Sequence, residues 1–425
     1  MKKQIFSLIL IVLMLLASTR MLVADCLDTS IPDQEETWLT IIVHGIINPR
    51  PHISLSNIML VMSDQIENTL YAHTVDITRN DPFFYQYHPM QAPGLQKIDM
   101  HAINEGSAST AFALIYDEMS NLNQTTKPKN EYYTFGWSGL LGRKIRCIDA
   151  KIFYGQLVTE LAKYHVQNIY PKVRIIGYSH GGHIALNLAK IHEKQDKKAT
   201  LKAIDEVILL GLPVVCDTDH LITSHLFKKI YHVYSPGDRV QIVDFLAYHR
   251  FLSNRMFKSR ADFKVPDNLY QIELRWKRLA RTTRKYTFPN YPGWLIRNAD
   301  PGHTELFSFG WIYNYRDYMP FYPLPAICYL GYILQEIGQA TPQERIITVD
   351  IRPFEDSMII KGQNSKKGQK MAFLSQEQQI YFKNLANTFR PQKFNLQLFN
   401  EQTALTLKKA KKKQKLAKKC SKQVT

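Results

Sequence analysis

The sequence contains few cysteines, and none of them stand in the close pairs that bind metal ions. They are Cys26, Cys147, Cys216, Cys328 and Cys420, and no Cys-x-x-Cys spacing occurs. This pattern argues against a zinc site, and we expect neither a metal ion nor another cofactor. An odd number leaves at least one thiol unpaired within a monomer, and the scattered positions do not reveal which cysteines would form a disulfide.

The apolar run near the N-terminus, residues 5–17, is too short to cross a lipid bilayer comfortably. Two lysines precede it, and small residues follow at Ser18 and Ala24. This arrangement predicts a secretory signal peptide over 1–24, cleaved after Ala24 or nearer Ser18, with an uncleaved membrane anchor as the alternative. Cys26 follows an acidic residue instead of a small one, which argues against a lipoprotein. We therefore expect an exported protein, whether periplasmic, extracellular or membrane-associated.

Acidic residues are absent from 408–422, a stretch with nine lysines and no aromatic residue. In 250–285, eleven basic residues accompany three acidic ones, and the excess charge of the two stretches equals the whole net charge of +17. Both stretches are candidates for contact with an anionic membrane surface. A solvated tail and a solvated basic face with core-facing aromatic residues are the simpler interpretations. A nucleic-acid partner is not expected, because the tail has no aromatic residues on which bases could stack.

Hydrophobic residues make up 45% of the 425 residues, enough for one large domain with insertions or for two domains. Short apolar runs rich in β-branched or aromatic residues predict strands at 37–43, 132–137, 173–176, 206–211 and 230–234. Helical spacing of apolar residues appears at 53–70, 108–119, 150–165, 183–192 and 221–229. This alternation predicts an α/β fold with a mostly parallel sheet and helices on both faces.

The rest of the chain is less regular. Residues 75–105 have no clear period and are predicted to be irregular. Downstream predictions are strands at 269–274 and 294–297, a core helix at 320–337, a hairpin of 346–349 with 357–360, and a helix at 377–388. The expected organisation is a main domain over 25–340 with a possible cap or insert at 240–290, a C-terminal extension at 341–407 and a Lys-rich tail at 408–425.

The most informative stretch is Gly177-Tyr178-Ser179-His180-Gly181, which lies between a predicted strand and a predicted helix. Strand, tight Gly-x-Ser-x-Gly turn and helix are the context of a nucleophile elbow, in which a strained turn exposes a reactive serine. The N-terminus of the following helix then directs its free N–H groups and positive dipole end towards the serine oxygen. The alternative is a glycine-rich strand-to-helix turn with an inert serine.

A second stretch, the first predicted strand, ends in His44-Gly45. Acyl-transfer enzymes need two backbone N–H donors that face the oxyanion formed during the reaction. The residue after the serine, His180, and the residue after His-Gly, Ile46, are the candidates. An ordinary strand end with a buried histidine is the alternative.

The predicted partners of the serine follow later strands. Asp238 lies in a turn directly after the strand at 230–234, and His303 lies in a glycine-containing loop after the predicted strand at 294–297. Asp217 and Asp219 also follow a strand and are alternative acids. Other histidines, His165, His183 and His192, fall inside predicted helices, which favours a structural role for them.

These motifs resemble the α/β-hydrolase superfamily, and within it the secreted lipases and esterases, over about residues 37–315. The resemblance implies that Ser179 is the nucleophile, His303 the general base and Asp238 the residue that orients His303. It implies an oxyanion hole formed by the N–H groups of Ile46 and His180. The segments 75–130 and 240–290 are longer than a minimal hydrolase needs.

The sequence therefore predicts a serine hydrolase that cleaves a carboxylic ester, a lipid or acyl ester, through an acyl-enzyme. An acyltransferase or thioesterase with the same triad is an alternative. A protein of a different class, a non-catalytic one that kept the fold and binds an anionic membrane, is another.

Overall fold

The computed structural model describes residues 36–47, 64–66, 69–80, 85, 88–102, 107–195, 201–241, 253–277, 300–311, 320–340 and 343–391, with some residues between 401 and 415. The chain divides into two units, Met1–Glu36 and Thr37–Thr425. The predicted signal peptide, most of the predicted helix at 53–70 and the predicted strand at 294–297 lie outside the described residues.

Ten strands of the described chain form one sheet. They are β1 (Thr37–Val43), β2 (Gly94–Lys97), β3 (Lys129–Gly136), β4 (Lys172–Tyr178), β5 (Glu206–Leu210), β6 (Ile230–Tyr234), β7 (Leu269–Trp276), β8 (Ile346–Arg352), β9 (Ser357–Gly362) and β10 (Gln369–Ala372). The order across the sheet is β10-β9-β8-β7-β6-β5-β4-β1-β3-β2. Every pairing from β3 to β8 is parallel, and the outer pairings β2/β3, β8/β9 and β9/β10 are antiparallel. The predicted mostly parallel α/β sheet is confirmed.

Helices cover both faces of this sheet. They are α1 (Leu70–Arg79), α2 (Ala108–Ser120), α3 (Arg143–Val166), α4 (Gly181–His192), α5 (His303–Phe307), α6 (Leu330–Ala340) and α7 (Gln376–Thr388). Successive side chains of a strand point to opposite faces, so neighbours enter different cores. Ile42 and Ile176 pack in the core with residues of α2, α6 and α7, whereas Ile41 and Ile175 pack with α3 and α4.

Three sequence predictions are wrong or incomplete in detail. The segment 75–105 is not wholly irregular, because it contains the end of α1 and the edge strand β2. The predicted helix at 221–229 is a short 3₁₀ turn, Asp219–Thr223, followed by a loop whose Leu226 and Phe227 are nevertheless buried. The predicted helix at 320–337 starts later, as a 3₁₀ turn at Ala326–Tyr329 that leads into α6.

The predicted hairpin of 346–349 with 357–360 is confirmed, and it belongs to the main sheet. β8 pairs in parallel with β7, and β9 and β10 continue the sheet beyond it. The sheet therefore runs into the segment predicted as a C-terminal extension. Among the described residues, no helix is both long and apolar enough to span a membrane.

The strand order reverses between β1 and β4. From β1 the chain proceeds to β3 on one side, and from β4 it proceeds to β5 on the other. In open parallel sheets, ligands bind in the crevice at the carboxyl ends of strands where the order reverses. The segments after β1 and β4, which hold His44-Gly45 and Ser179, lie at this position.

Candidate active site

Ser179 occupies the turn between β4 and α4 in a backbone conformation that residues other than glycine rarely adopt. Its φ angle is +51°, in the left-handed region, which costs about 1–3 kcal/mol for a residue other than glycine. The turn is held because the Ser179 N–H donates to the Leu210 carbonyl at 2.8 Å, and Gly182 N–H donates to the Ser179 carbonyl at 3.0 Å. The predicted strand, turn and helix around Ser179 are thus all present.

Two glycines allow the neighbouring chain segments to approach this turn. A Cβ atom on Gly181 would collide with the backbone carbonyl oxygens of Val43 and His44, which lie against the start of α4. A Cβ atom on Gly45 would lie 3.0 Å from the Ser179 Cβ atom. The end of β1 therefore passes directly over the serine, where only glycine fits without displacement.

Ser179, His303 and Asp238 form one hydrogen-bonded line. The His303 Nε2 atom is 2.9 Å from the Ser179 hydroxyl oxygen, and the His303 Nδ1 atom is 2.7 Å from Asp238 Oδ2. An ionised carboxylate can only accept, so Nδ1 carries the proton and the unprotonated Nε2 accepts from the serine hydroxyl. The structure brings together the three side chains singled out in the sequence, although 59 and 65 positions separate them.

The turn after β6 fixes the carboxylate of Asp238, which is completely buried. Its Oδ1 atom accepts from the backbone N–H groups of Val240 at 2.9 Å and Gln241 at 3.3 Å, which leaves Oδ2 directed at His303. Arg255 donates to the backbone carbonyls of Asp238 at 2.8 Å and Pro236 at 3.1 Å. The acid is therefore held in one orientation by its own turn and by an arginine from a later loop.

The loop that carries His303 is attached to the sheet at two points. Asp300, which is buried, accepts from the Trp276 N–H at the end of β7 at 3.0 Å, and burial raises the pKa of its carboxyl group. The Tyr178 hydroxyl donates to the His303 carbonyl at 2.9 Å. The Tyr178 ring lies 4.9 Å from the His303 ring and is stacked on Phe307 at 4.3 Å. The residue before the serine thus positions the histidine.

The predicted donors Ile46 and His180 flank the serine on separate segments. Ile46 follows Gly45, which lies over Ser179, and His180 precedes α4. The His180 ring is buried, and its Nδ1 atom accepts from the Arg146 guanidinium at 3.0 Å. Both backbone N–H groups are therefore carried by segments in contact with the serine turn.

His44, at the end of β1, is a buried residue with several partners. Its ring stacks on Trp137 at 5.5 Å between centroids, and the Trp137 indole N–H donates to the His44 carbonyl at 2.6 Å. Burial, and next the charge of Arg79, hold the pKa of His44 well below its usual value, so the ring is neutral. The His44 side chain is buried at the end of a strand, as the alternative interpretation predicted. This burial is compatible with a role of the Ile46 N–H as an oxyanion donor.

The alternative site residues take no part in this line. Asp219 pairs with Arg260, and Asp217 lies 3.6 Å from the Arg143 guanidinium. His165 lies within α3, while His183 and His192 lie within α4. His183 is bonded to Thr218 and His192 to Tyr154, at 2.7 and 3.0 Å.

The basic stretch 250–285 is described at 253–277, and several of its cations contact the protein itself. Arg255 binds carbonyls of the acid turn, Arg260 pairs with acidic side chains, and Arg275 lies 2.5 Å from Glu273. Leu269, Ile272, Leu274 and Trp276 on β7 are buried, as the amphipathic-strand interpretation predicts. Within the described residues, no group of three or more His, Cys, Asp or Glu side chains is arranged to hold a metal ion.

Sequence reasoning did not identify Arg79, Trp137, Tyr178 or Asp300 as parts of the site. Arg79 and Trp137 lie 35 and 93 positions from His44, so no local pattern relates them. Tyr178 occupies the variable position before the serine, and only its place in the elbow could have drawn attention to it. No protein-family model, curated protein or solved structure matches this chain.

Proposed function

We propose that the protein is a serine hydrolase of the α/β-hydrolase type that cleaves a carboxylic ester. The hydrogen-bonded line Ser179–His303–Asp238 is the observation on which this proposal rests. Three further features support it: the strained strand-to-helix turn at Ser179, the chain order serine, acid, histidine, and the position of all three after parallel strands. A lipid or acyl ester as substrate, and export of the protein, are proposed from the sequence.

In the first half of the reaction, His303 Nε2 removes the hydroxyl proton as Ser179 Oγ attacks the ester carbonyl carbon. A serine hydroxyl is a weak nucleophile until a positioned base takes its proton. Asp238 holds the imidazole in the required tautomer and stabilises the imidazolium that forms. The negative charge on the former carbonyl oxygen is then stabilised by the N–H groups of His180 and Ile46.

Collapse of this intermediate expels the alcohol, which takes the proton back from His303, and leaves an acyl group on Ser179. A water molecule then gives a proton to His303 and attacks the acyl carbon through a second oxyanion. When this second intermediate collapses, the bond to Ser179 Oγ breaks, His303 returns its proton to Oγ, and the carboxylic acid is released. Each oxyanion donor should contribute about 3 kcal/mol to lowering the barrier.

The test compares the wild type with Ser179→Ala on p-nitrophenyl esters of increasing chain length, together with labelling by a fluorophosphonate. We expect hydrolysis and labelling at Ser179 in the wild type and neither in a folded Ser179→Ala variant. Preference for long acyl chains would favour a lipase and preference for short chains an esterase. Equal ester hydrolysis by the two proteins, or a folded wild type that is neither active nor labelled, would exclude the proposed function.

A further inference from the structure

The protonation of the His44 ring follows from its partners. Its Nε2 atom lies 3.1 Å from the Arg79 Nη2 atom and 3.3 Å from the Trp137 backbone nitrogen, and both of these groups can only donate. Nε2 therefore accepts from both and carries no proton. In the neutral ring the proton is on Nδ1, which donates to the Gly45 carbonyl oxygen at 2.6 Å. His44 thus connects a guanidinium to one particular peptide group.

That peptide group is the one that supplies a predicted oxyanion donor. In a trans peptide, the C=O and the N–H point in opposite directions. The His44 ring holds the Gly45 carbonyl, so the N–H of the same peptide, which belongs to Ile46, is directed away from His44. A rotation of this peptide would break the 2.6 Å bond and leave the buried ring proton without that acceptor.

Arg79 provides a buried positive charge at the other end of this chain of contacts. It is the last residue of α1, where the negative end of the helix dipole favours a cation, and only 8% of it is exposed. Burial lowers its pKa, and the hydrogen bond with Tyr85 and the charge of Asp149 oppose this effect. A guanidinium stays charged in proteins, so Arg79 retains its positive charge here.

We infer that Arg79 and His44 form a polarising relay that orients the Ile46 N–H and makes it a stronger oxyanion donor. The relay runs from the guanidinium to Nε2, through the ring to Nδ1–H, and on to the Gly45–Ile46 peptide. Hydrogen bonds in series polarise one another, and the effect is larger where water is excluded. Arg79 and His44 act as positioning residues. This inference rests on the proposed function, because it assigns a task within that site.

The test is a double-mutant cycle with Arg79→Met, His44→Asn and the double variant. Methionine keeps an apolar stem without the charge, and asparagine retains an N–H donor near the Nδ1 position but does not reach Arg79. Each single variant should lower kcat for a p-nitrophenyl ester about tenfold, less than the 10²- to 10³-fold loss expected for a missing donor. KM should change by no more than about twofold. The double variant should be no worse than either single variant, because both changes interrupt one relay.

A second measurement separates transition-state stabilisation from a structural effect. An alkylboronic acid forms a tetrahedral adduct with the serine and places an anionic oxygen in the hole, so its affinity should fall by the same factor as kcat. Arg174→Met is the matched control. Arg174 is a largely buried arginine on β4 that pairs with Glu206 at 2.7 Å, about 16 Å along the strand from Ser179. Its replacement should lower the melting temperature and leave kcat and boronate affinity within about twofold.

The outcomes distinguish the relay from the proposed function. If the wild type hydrolyses esters and Arg79→Met keeps wild-type kcat and boronate affinity, or the two losses add in the double variant, the relay is excluded and the hydrolase remains. If Arg79→Met does not fold, the His44→Asn variant tests the relay by itself, since it breaks the same contact with Arg79. Wild-type kcat and boronate affinity in His44→Asn would then exclude the relay. If the wild type shows no hydrolysis and no labelling of Ser179, the proposed function fails and the relay fails with it.

Discussion

Single side chains define this site more narrowly than the motifs do, and the acid is the clearest case. Three aspartates follow strands in the relevant part of the chain, but only Asp238 is bonded to a histidine that also reaches Ser179. Two backbone N–H groups occupy its other oxygen. The choice between acids therefore depends on the orientation of the turn.

Replacement of Asp238 should lower kcat by several orders of magnitude more than replacement of Asp219. Asp238→Asn should lower kcat about 10⁴-fold, because an amide favours the wrong histidine tautomer and does not stabilise the positive charge of the imidazolium. Asp219→Asn, which weakens the pair with Arg260, should retain kcat within about twofold while the melting temperature falls. Steady-state kinetics and thermal unfolding of both variants check this. Similar kcat losses in the two variants would contradict the assignment of Asp238.

Tyr178 offers a second test on the same scale. Tyr178→Phe keeps the stacking on Phe307 and removes the hydroxyl that donates to the His303 carbonyl. A hydrogen bond of this kind contributes about 0.5–1.5 kcal/mol, so kcat should fall roughly 2- to 12-fold with little change in KM. Tyr132→Phe is the matched control, because it removes a hydroxyl bonded to Asp117 at 2.9 Å, away from the triad. An equal loss of kcat in the control would count against a positioning role for Tyr178.

Among the elements, β8 and β9 show how much the sheet depends on the chain that follows the triad. Ile347, Val349 and Ile351 of β8 and Met358 and Ile360 of β9 are completely buried. β8 also covers the edge of β7, the strand to which the His303 loop is tied. We therefore expect these two strands to be needed for folding of the whole sheet.

A pair of isoleucine variants checks this expectation. Ile347→Ala removes buried methylene groups and should lower the free energy of unfolding by about 2–5 kcal/mol, with kcat of the folded enzyme unchanged. Ile380→Ala on α7, where the residue is 58% exposed, should change the free energy of unfolding by less than about 0.5 kcal/mol. Denaturant titration measures both. A change below 1 kcal/mol in Ile347→Ala, on the order of a surface substitution, would mean that β8 is not part of the cooperative core.

Elements with strong local patterns could be predicted from the sequence, and elements whose form depends on distant contacts could not. The strand at Ile230–Tyr234 is predicted to the residue, because a β-branched and aromatic run between polar turns strongly favours a strand. The predicted helix at 221–229 failed because Ile222 and Leu226 stand four residues apart, as on one face of a helix, yet an irregular loop buries Leu226 and Phe227 equally well. Ser179 and Asp238 were predictable from the ends of strands that the structure contains, whereas the strand predicted before His303 lies outside the described residues. The bond from Arg79 to His44 joins residues that share no pattern.

At the scale of the whole molecule, several buried histidines make stability depend on pH. Burial lowers the pKa of His232 on β6 to about 4, and burial holds the pKa values of His44 and His183 well below the usual range. In the unfolded chain each ring titrates near its ordinary value of about 6.5. Between that value and the lowered one, only the unfolded state binds the proton, so folding weakens as the pH falls.

His232→Gln should reduce this dependence. Each such histidine contributes a loss of up to about 1.4 kcal/mol per pH unit below pH 6.5, and His232 contributes about 3 kcal/mol in all by pH 4. Urea unfolding at pH 8, 6 and 5 should show a shallower decline for the variant. At pH 8 these rings are neutral in both the folded and the unfolded state, so they should not make the free energy of unfolding depend on pH there. An identical decline in the two proteins would show that the His232 ring is not held neutral in the fold.

The bond between Trp276 and Asp300 has a consequence for how the length of this chain can change during evolution. The chain leaves the catalytic end of β7 at Trp276 and returns to the same point at Asp300, where the bond fixes the start of the His303 loop. Trp276 and Asp300, the residues that bound the segment between them, are thus joined at one place. Each doubling of such a segment costs only about 0.6 kcal/mol of closure entropy. A change in the length of that segment would therefore cost little, and the Trp276–Asp300 bond would still hold the start of the His303 loop in place.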